Sequence, residues 1–177
     1  KSSLFNQGFT FTELLAASIL DMAWHTLPDP ASVDVRAFEK KVMDDFGLIK
    51  EIVPRYRSTY FLHIFSGGYS AGYYAYTWAS VLDCDAYEAF REKGIFDKAT
   101  ALSFRKNILE RLGTDDPMAQ YIRFRGAEPG IGPLLRNRGL AGAGRTGEQR
   151  VAGHALLFAF ILTIPDDLVR AMFILTP

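Results

Sequence analysis

Apolar residues recur at helical spacing through most of this chain, with capping and breaking residues between the runs. Thr10-Phe11-Thr12-Glu13 fits a capping box, with Thr10 as N-cap and Glu13 folding back to it. Leu14, Leu15, Ile19, Met22 and Ala23 then keep one face apolar as far as Leu27, and Pro28 stops the run. Asp29-Pro30 reads as a turn. A second amphipathic helix is predicted from Val33 to Phe46, with Val35, Phe38, Val42 and Phe46 on one face and Gly47 as its C-terminal cap.

Residues 48–68 are less regular: Pro54 breaks the helical pattern, Ser58 to Phe65 suits an extended stretch or a short helix, and Gly67-Gly68 marks a flexible turn. Further helices are predicted from Tyr69 to Leu82, from an Asp85 cap to Lys93, and from an Asp97 cap to Leu112, with Gly94 and Gly113 as stops. Asp116-Pro117 is an N-cap and N1 pair opening a helix that ends near Gly126, and a last turn spans Leu134 to Arg138 before Gly139. No repeat or sheet pattern is visible, so the expected fold class is all-α.

From Ala141 the character changes. Gly142 to Gly147 is small and flexible, and two apolar runs, Ala155 to Ile164 and another ending at Pro177, flank a Pro165-Asp166-Asp167 break. Neither run reaches the ~18–20 apolar residues of a membrane span. The expected organisation is a helical part over residues 1–140 and an unassigned tail over 141–177, docked rather than membrane-spanning.

At 177 residues the chain suits one domain, or one lobe of a larger one. Its 49% hydrophobic and 23% charged residues supply a core and a soluble surface, which argues against a disordered chain. Twenty basic residues balance twenty acidic ones, so there is no electrostatic reason to expect a nucleic-acid partner. Cys84 is the only cysteine, which rules out an internal disulfide. A cytoplasmic location is expected, with the periplasm as the alternative. The chain begins Lys-Ser-Ser without a cleavable signal, and a first helix so close to its start reads as a cut or partial chain.

Chemistry concentrates in Tyr60-Phe61-Leu62-His63-Ile64-Phe65-Ser66-Gly67-Gly68-Tyr69-Ser70-Ala71-Gly72-Tyr73-Tyr74-Ala75-Tyr76. On a helix, Tyr69, Tyr73 and Tyr76 fall at i, i+4 and i+7 on one face, and Tyr74 points about a hundred degrees away. A phenol titrates near ~10, so at neutral pH it can donate to a carbonyl or an oxyanion. Beside a histidine able to swing on Gly67-Gly68, such a stripe could bind a peptide backbone. It could equally be an aromatic core face with hydroxyls at its edge, and the pattern alone favours that plainer reading.

The run His63…Gly67-Gly68-Tyr69…Tyr73-Tyr74-Ala75-Tyr76-Thr77-Trp78 resembles the C-terminal signature of the thimet-oligopeptidase family of zinc metallopeptidases. Phe5-Asn6-Gln7-Gly8-Phe9, Leu15-Ala16-Ala17, Leu20-Asp21-Met22-Ala23-Trp24-His25, and Phe124-Arg125-Gly126…Leu134-Leu135…Arg138-Gly139-Leu140 agree with it, so the resemblance runs from about Leu4 to Leu140. The spacing from His63 to Tyr69 looks like that of the bacterial peptidyl-dipeptidase branch. The resemblance implies the helical C-terminal lobe of a zincin-like oligopeptidase, truncated. It lies in a two-lobed enzyme whose deep channel admits short unstructured peptides and whose members release C-terminal dipeptides. It implies zinc held by H-E-x-x-H and a later glutamate, with the motif's Glu as general base. By position it makes Tyr76 an oxyanion donor, gives His63 and Tyr69 the substrate carbonyls, puts Tyr73 on the same face, and makes Gly67-Gly68 the hinge of a closing loop.

No H-E-x-x-H occurs in this sequence, so the zinc ligands are expected upstream on a missing N-terminal lobe. This chain alone is expected to bind no metal and to hydrolyse nothing. His25, at a helix end, reads as structural, facing the C-terminal dipole, and His154 has no supporting partners. Cys84, between Asp83 and Asp85, is a poor nucleophile because both charges oppose thiolate formation. Gly142-Ala143-Gly144-Arg145-Thr146-Gly147 matches G-x-G-x-x-G but lacks a preceding strand and reads as a linker. Arg123, Arg125, Arg136 and Arg138 suit solvated helix faces or domain-closing ion pairs. The tail departs from the family and carries no functional expectation. Two other classes compete with a peptidase fragment: a metal-free helical peptide-binding module or interaction subunit, and a membrane-associated protein anchored through the tail.

Overall fold

The computed structural model describes residues 5–111 and 113–138, and over these the chain is helical with no strand. The α-helices are Gln7–His25 (α1), Val35–Asp45 (α2), Leu62–Phe65 (α3), Ala75–Lys93 (α4), Lys98–Phe104 (α5), Pro117–Arg125 (α6) and Gly132–Asn137 (α7). Pro30–Ser32 and Ser58–Tyr60 are 3-10 turns, and a π-helical stretch, Arg105–Leu109, follows α5. The described residues form two compact units, one running through Thr77 and including Arg138, the other spanning Trp78–Asn137. His154, the G-x-G-x-x-G match and the apolar tail lie outside the described residues.

In the first unit, α1 is the central element. Its enclosed face is Phe11, Leu15, Ala16, Ala17, Ser18, Leu20, Asp21 and Trp24, whereas Leu14, Ile19, Met22 and Ala23 are only partly covered. The fully enclosed small side chains at 16–18 rotate the buried face away from the one the larger aliphatics suggest. Trp24 packs on Phe38 of α2 at 4.4 Å between ring centroids, and its indole N–H donates to Ser58 Oγ at 2.9 Å. The buried Glu39 carboxylate of α2 accepts from Ser58 N at 2.7 Å and from the Arg57 guanidinium. Ser58 is thus held from α1 and α2 together, which places the turn leading into α3.

The second unit is built around α4. Phe90, Phe104 and Phe124 form a ring cluster with centroids 5.1 to 6.3 Å apart. The Tyr121 hydroxyl donates to Asp85 at 2.7 Å, and Arg125 pairs with Asp85 at 3.3 Å and with Glu92 at 2.8 Å. Arg136 and Arg91 both reach Glu88, at 3.3 and 2.8 Å, so the arginines of α6 and α7 tie these helices to α4. Arg123 pairs with Asp115, whereas Arg138 belongs to the first unit and donates to Gln7 there at 3.0 Å. Cys84 is buried in this unit. No helix among the described residues is long and apolar enough to cross a membrane.

Several predicted ends move. Helix α1 starts at Gln7 behind Asn6, which is left-handed (φ 55°) and makes no side-chain cap. Thr10 is therefore not an N-cap, because its amide already bonds to Asn6 O at 3.0 Å inside the first turn. Asp34, Asp97 and Asp116 cap their helices through the amides of Ala37, Thr100 and Ala119. The predicted helices over Tyr69–Leu82 and Asp85–Lys93 are instead one helix, Ala75–Lys93. Neither Gly nor Pro interrupts it, and Asp85 bonds to Tyr121 and Arg125 rather than capping.

Candidate active site

Residues 70–74 are turns rather than helix, and two of their amides, those of Ala71 and Tyr73, are taken by a distant side chain. The fully buried Asp21 carboxylate of α1 accepts from Ala71 N at 2.9 Å through Oδ1 and from Tyr73 N at 2.8 Å through Oδ2. Ala71 adopts φ 51°, a left-handed conformation costly for a residue with a Cβ, which the Asp21 bond helps to hold. The bonds Gly72 N to Tyr69 O, Ala75 N to Gly72 O and Tyr76 N to Tyr73 O then carry the chain by tight turns into α4.

These turns keep the expected tyrosines together without a helical stripe. Tyr69 and Tyr76 stack at 5.2 Å with 16° between ring planes, and Tyr73 meets Tyr76 edge-on at 5.1 Å. Their surroundings differ: Tyr69 is 38% and Tyr76 40% exposed, whereas Tyr73 is 3% exposed. Tyr74 is buried as well. Two phenols are therefore open to solvent side by side, over a third that serves as their floor. Neither the open-stripe nor the core-face reading describes all three tyrosines.

His63 lies on α3, before the glycines, and its half-buried ring touches Tyr56 at 4.9 Å, Tyr73 at 5.7 Å and Tyr69 at 6.1 Å. The imidazole is thus seated among aromatic rings. Any bending at Gly67-Gly68 alters the position of Tyr69 relative to His63. The two glycines also differ in kind. A Cβ at Gly67 would stand 2.7 Å from the His63 carbonyl oxygen, a steric exclusion, while at Gly68 nothing lies within 4 Å.

Electrostatics sort the phenols further. A hydrogen bond with Tyr69 is the main influence raising the Tyr76 pKa above 10, with burial and the charge that a Tyr69 phenolate would carry adding to it. Burial pushes Tyr73 up to about 12. Arg55 opposes both shifts by favouring phenolate. At neutral pH both hydroxyls keep their protons, that of Tyr76 engaged with Tyr69.

Asp21 and Tyr56 belong to this arrangement and were not legible as site residues. Tyr56 stacks on Phe61 at 4.9 Å and backs both His63 and Tyr73. For Asp21 a signal exists: an acid at i+4 from Ala17 and three residues before Trp24 sits on the enclosed stripe of α1, where a carboxylate must find donors. His25 supplies one of them, with Nδ1 2.8 Å from Asp21 Oδ1. At the helix end where it was expected to face the terminus, it contacts the Asp21 carbonyl at 2.9 Å as well as the carboxylate.

Known proteins are similar to this chain over the same region. Residues 1–140 match the sequence profile of peptidase family M3. The chain is 45% identical over 141 residues to the dipeptidyl carboxypeptidase of Escherichia coli (strain K12), an alignment covering 78% of this chain and 21% of that protein. It is 46% identical over 142 residues to the dipeptidyl carboxypeptidase of Salmonella typhimurium, covering 79% and 21% respectively. To oligopeptidase A of the same organism it is 52% identical over 82 residues, covering 46% of this chain and 12% of that one. The chain therefore spans about a fifth of the length of the dipeptidyl carboxypeptidases it matches.

Family M3 comprises zinc metallopeptidases. Among the described residues no three His, Cys, Asp or Glu side chains come together as a group that could hold a metal ion. The tyrosine and histidine cluster occupies the same stretch that carries the similarity, and on the strength of the match across residues 1–140 the chain belongs to peptidase family M3.

Proposed function

We propose that this chain is the substrate-binding portion of a zinc metallopeptidase that hydrolyses short unstructured peptides and releases C-terminal dipeptides. The zinc ligands and the general base belong, in this reading, to a further lobe of the same enzyme. The chain alone binds no zinc and does not hydrolyse peptides.

The observation that supports this reading best is the exposed Tyr69–Tyr76 pair with Tyr76 held protonated. When water adds to a peptide carbonyl, negative charge grows on its oxygen, and a protonated phenol aimed there stabilises the charge without moving. Tyr76 has this role. Tyr69, beside it, and His63, one ring further along, hold the neighbouring substrate carbonyls. Tyr73 supports these groups from below.

In the complete enzyme, Tyr76→Phe is expected to lower kcat by ~10²–10³ while changing KM little, as removal of an oxyanion donor does. The measurement is steady-state hydrolysis of a short peptide with a free C-terminus. Turnover close to normal would remove the role given to Tyr76. An intact gene encoding no H-E-x-x-H would point instead to a metal-free peptide-binding module.

A further inference from the structure

The Asp21 carboxylate is fully buried in a unit whose proposed chemistry does not use it. Burial raises its pKa, and the amides of Tyr73 and Ala71, followed by His25, counter that rise. A carboxylate withdrawn from water needs such compensation to be retained in a core. Its partners are specific. The amides of Ala71 and Tyr73 lie in one turn, and the two exposed phenols flank that turn, Tyr69 two residues before Ala71 and Tyr76 three residues after Tyr73. The clamped turn also contains the left-handed Ala71.

We infer that Asp21 is a positioning residue: its carboxylate, oriented by His25, fixes the turn between Tyr69 and Tyr76 and so sets the place where the Tyr76 hydroxyl meets the developing oxyanion. This rests on the peptidase reading above. Asp is required over its amide, because an asparagine would present an N–H group to one of two backbone donors and leave that donor unpaired. Asp21 touches no substrate in this scheme and acts only through backbone.

A core acid that merely stabilised the fold would affect the Tyr76 and Tyr76→Phe enzymes alike, whereas a clamp for Tyr76 loses its effect once the hydroxyl is gone. The test uses the complete peptidase, a short peptide with a free C-terminus, and the variants Asp21→Asn, Tyr76→Phe and the pair combined. Asp21→Asn is expected to lower kcat by about tenfold or more with KM held within about threefold, and to add less than about threefold in the Tyr76→Phe background. An equal factor in both backgrounds overturns the clamp, as does unchanged kcat in Asp21→Asn beside an impaired Tyr76→Phe. Normal turnover in Tyr76→Phe overturns the peptidase role and the clamp together. If Asp21→Asn does not fold, His25→Phe takes its place, since it removes one donor to the carboxylate and keeps a ring near Phe65. A kcat loss confined to the Tyr76 background supports the clamp, and no loss overturns it.

Discussion

The Tyr69 and Tyr76 rings lie nearly parallel at 5.2 Å, and their hydroxyls share a hydrogen bond that stabilises the protonated form of Tyr76. Tyr69→Phe removes that partner, so the Tyr76 pKa should fall towards the ordinary phenol value of about 10. In a tyrosinate absorbance titration, one phenol should then ionise at lower pH than in the parent protein. An unmoved titration would show that the shift does not depend on Tyr69.

The two glycines should respond differently to alanine. At Gly67 a Cβ would meet the His63 carbonyl oxygen at 2.7 Å, so backbone must shift and α3 must move relative to Tyr69. Gly67→Ala is expected to destabilise by about 1–3 kcal/mol, and Gly68→Ala, where nothing lies within 4 Å, to stay within about 0.5 kcal/mol. Chemical denaturation of both variants checks this, and equal losses would reject the steric account.

Alkaline stability should report on Tyr73. Its folded pKa is pushed up to about 12 by burial, against about 10 in an unfolded chain. A raised folded pKa gives stability that is complete below about pH 10 and lost as pH rises through about 12, since only the unfolded phenol ionises readily in between. Denaturation midpoints should therefore fall across that window, and less steeply in Tyr73→Phe. Identical slopes would mean that Tyr73 is not the group responsible.

Local signals in the sequence were reliable where one residue acts on its own chain. Asp97 and Asp116 were legible as caps because the amides they bind lie three residues on. Gly126 was legible as a stop and adopts φ 85° at the end of α6. What pattern could not reveal was set at a distance. Asp21 bonds to amides 50 and 52 residues away, and by taking them it delays α4 until Ala75, so a stripe expected on one helix became two stacked rings and a buried third. Glu39 was hidden in the same way, on a helix face that looked polar until Ser58 and Arg57 closed over it. The tyrosines of the family signature still lie together, because their proximity survived the change of backbone.

The anchoring of Ala71 and Tyr73 to α1 limits what the glycine-rich segment can do. Tyr69 lies on the glycine side of this anchor and Tyr76 beyond it, so any bending at Gly67 and Gly68 would act on Tyr69 first. The same tether thus divides the exposed pair, leaving one phenol on each side of it.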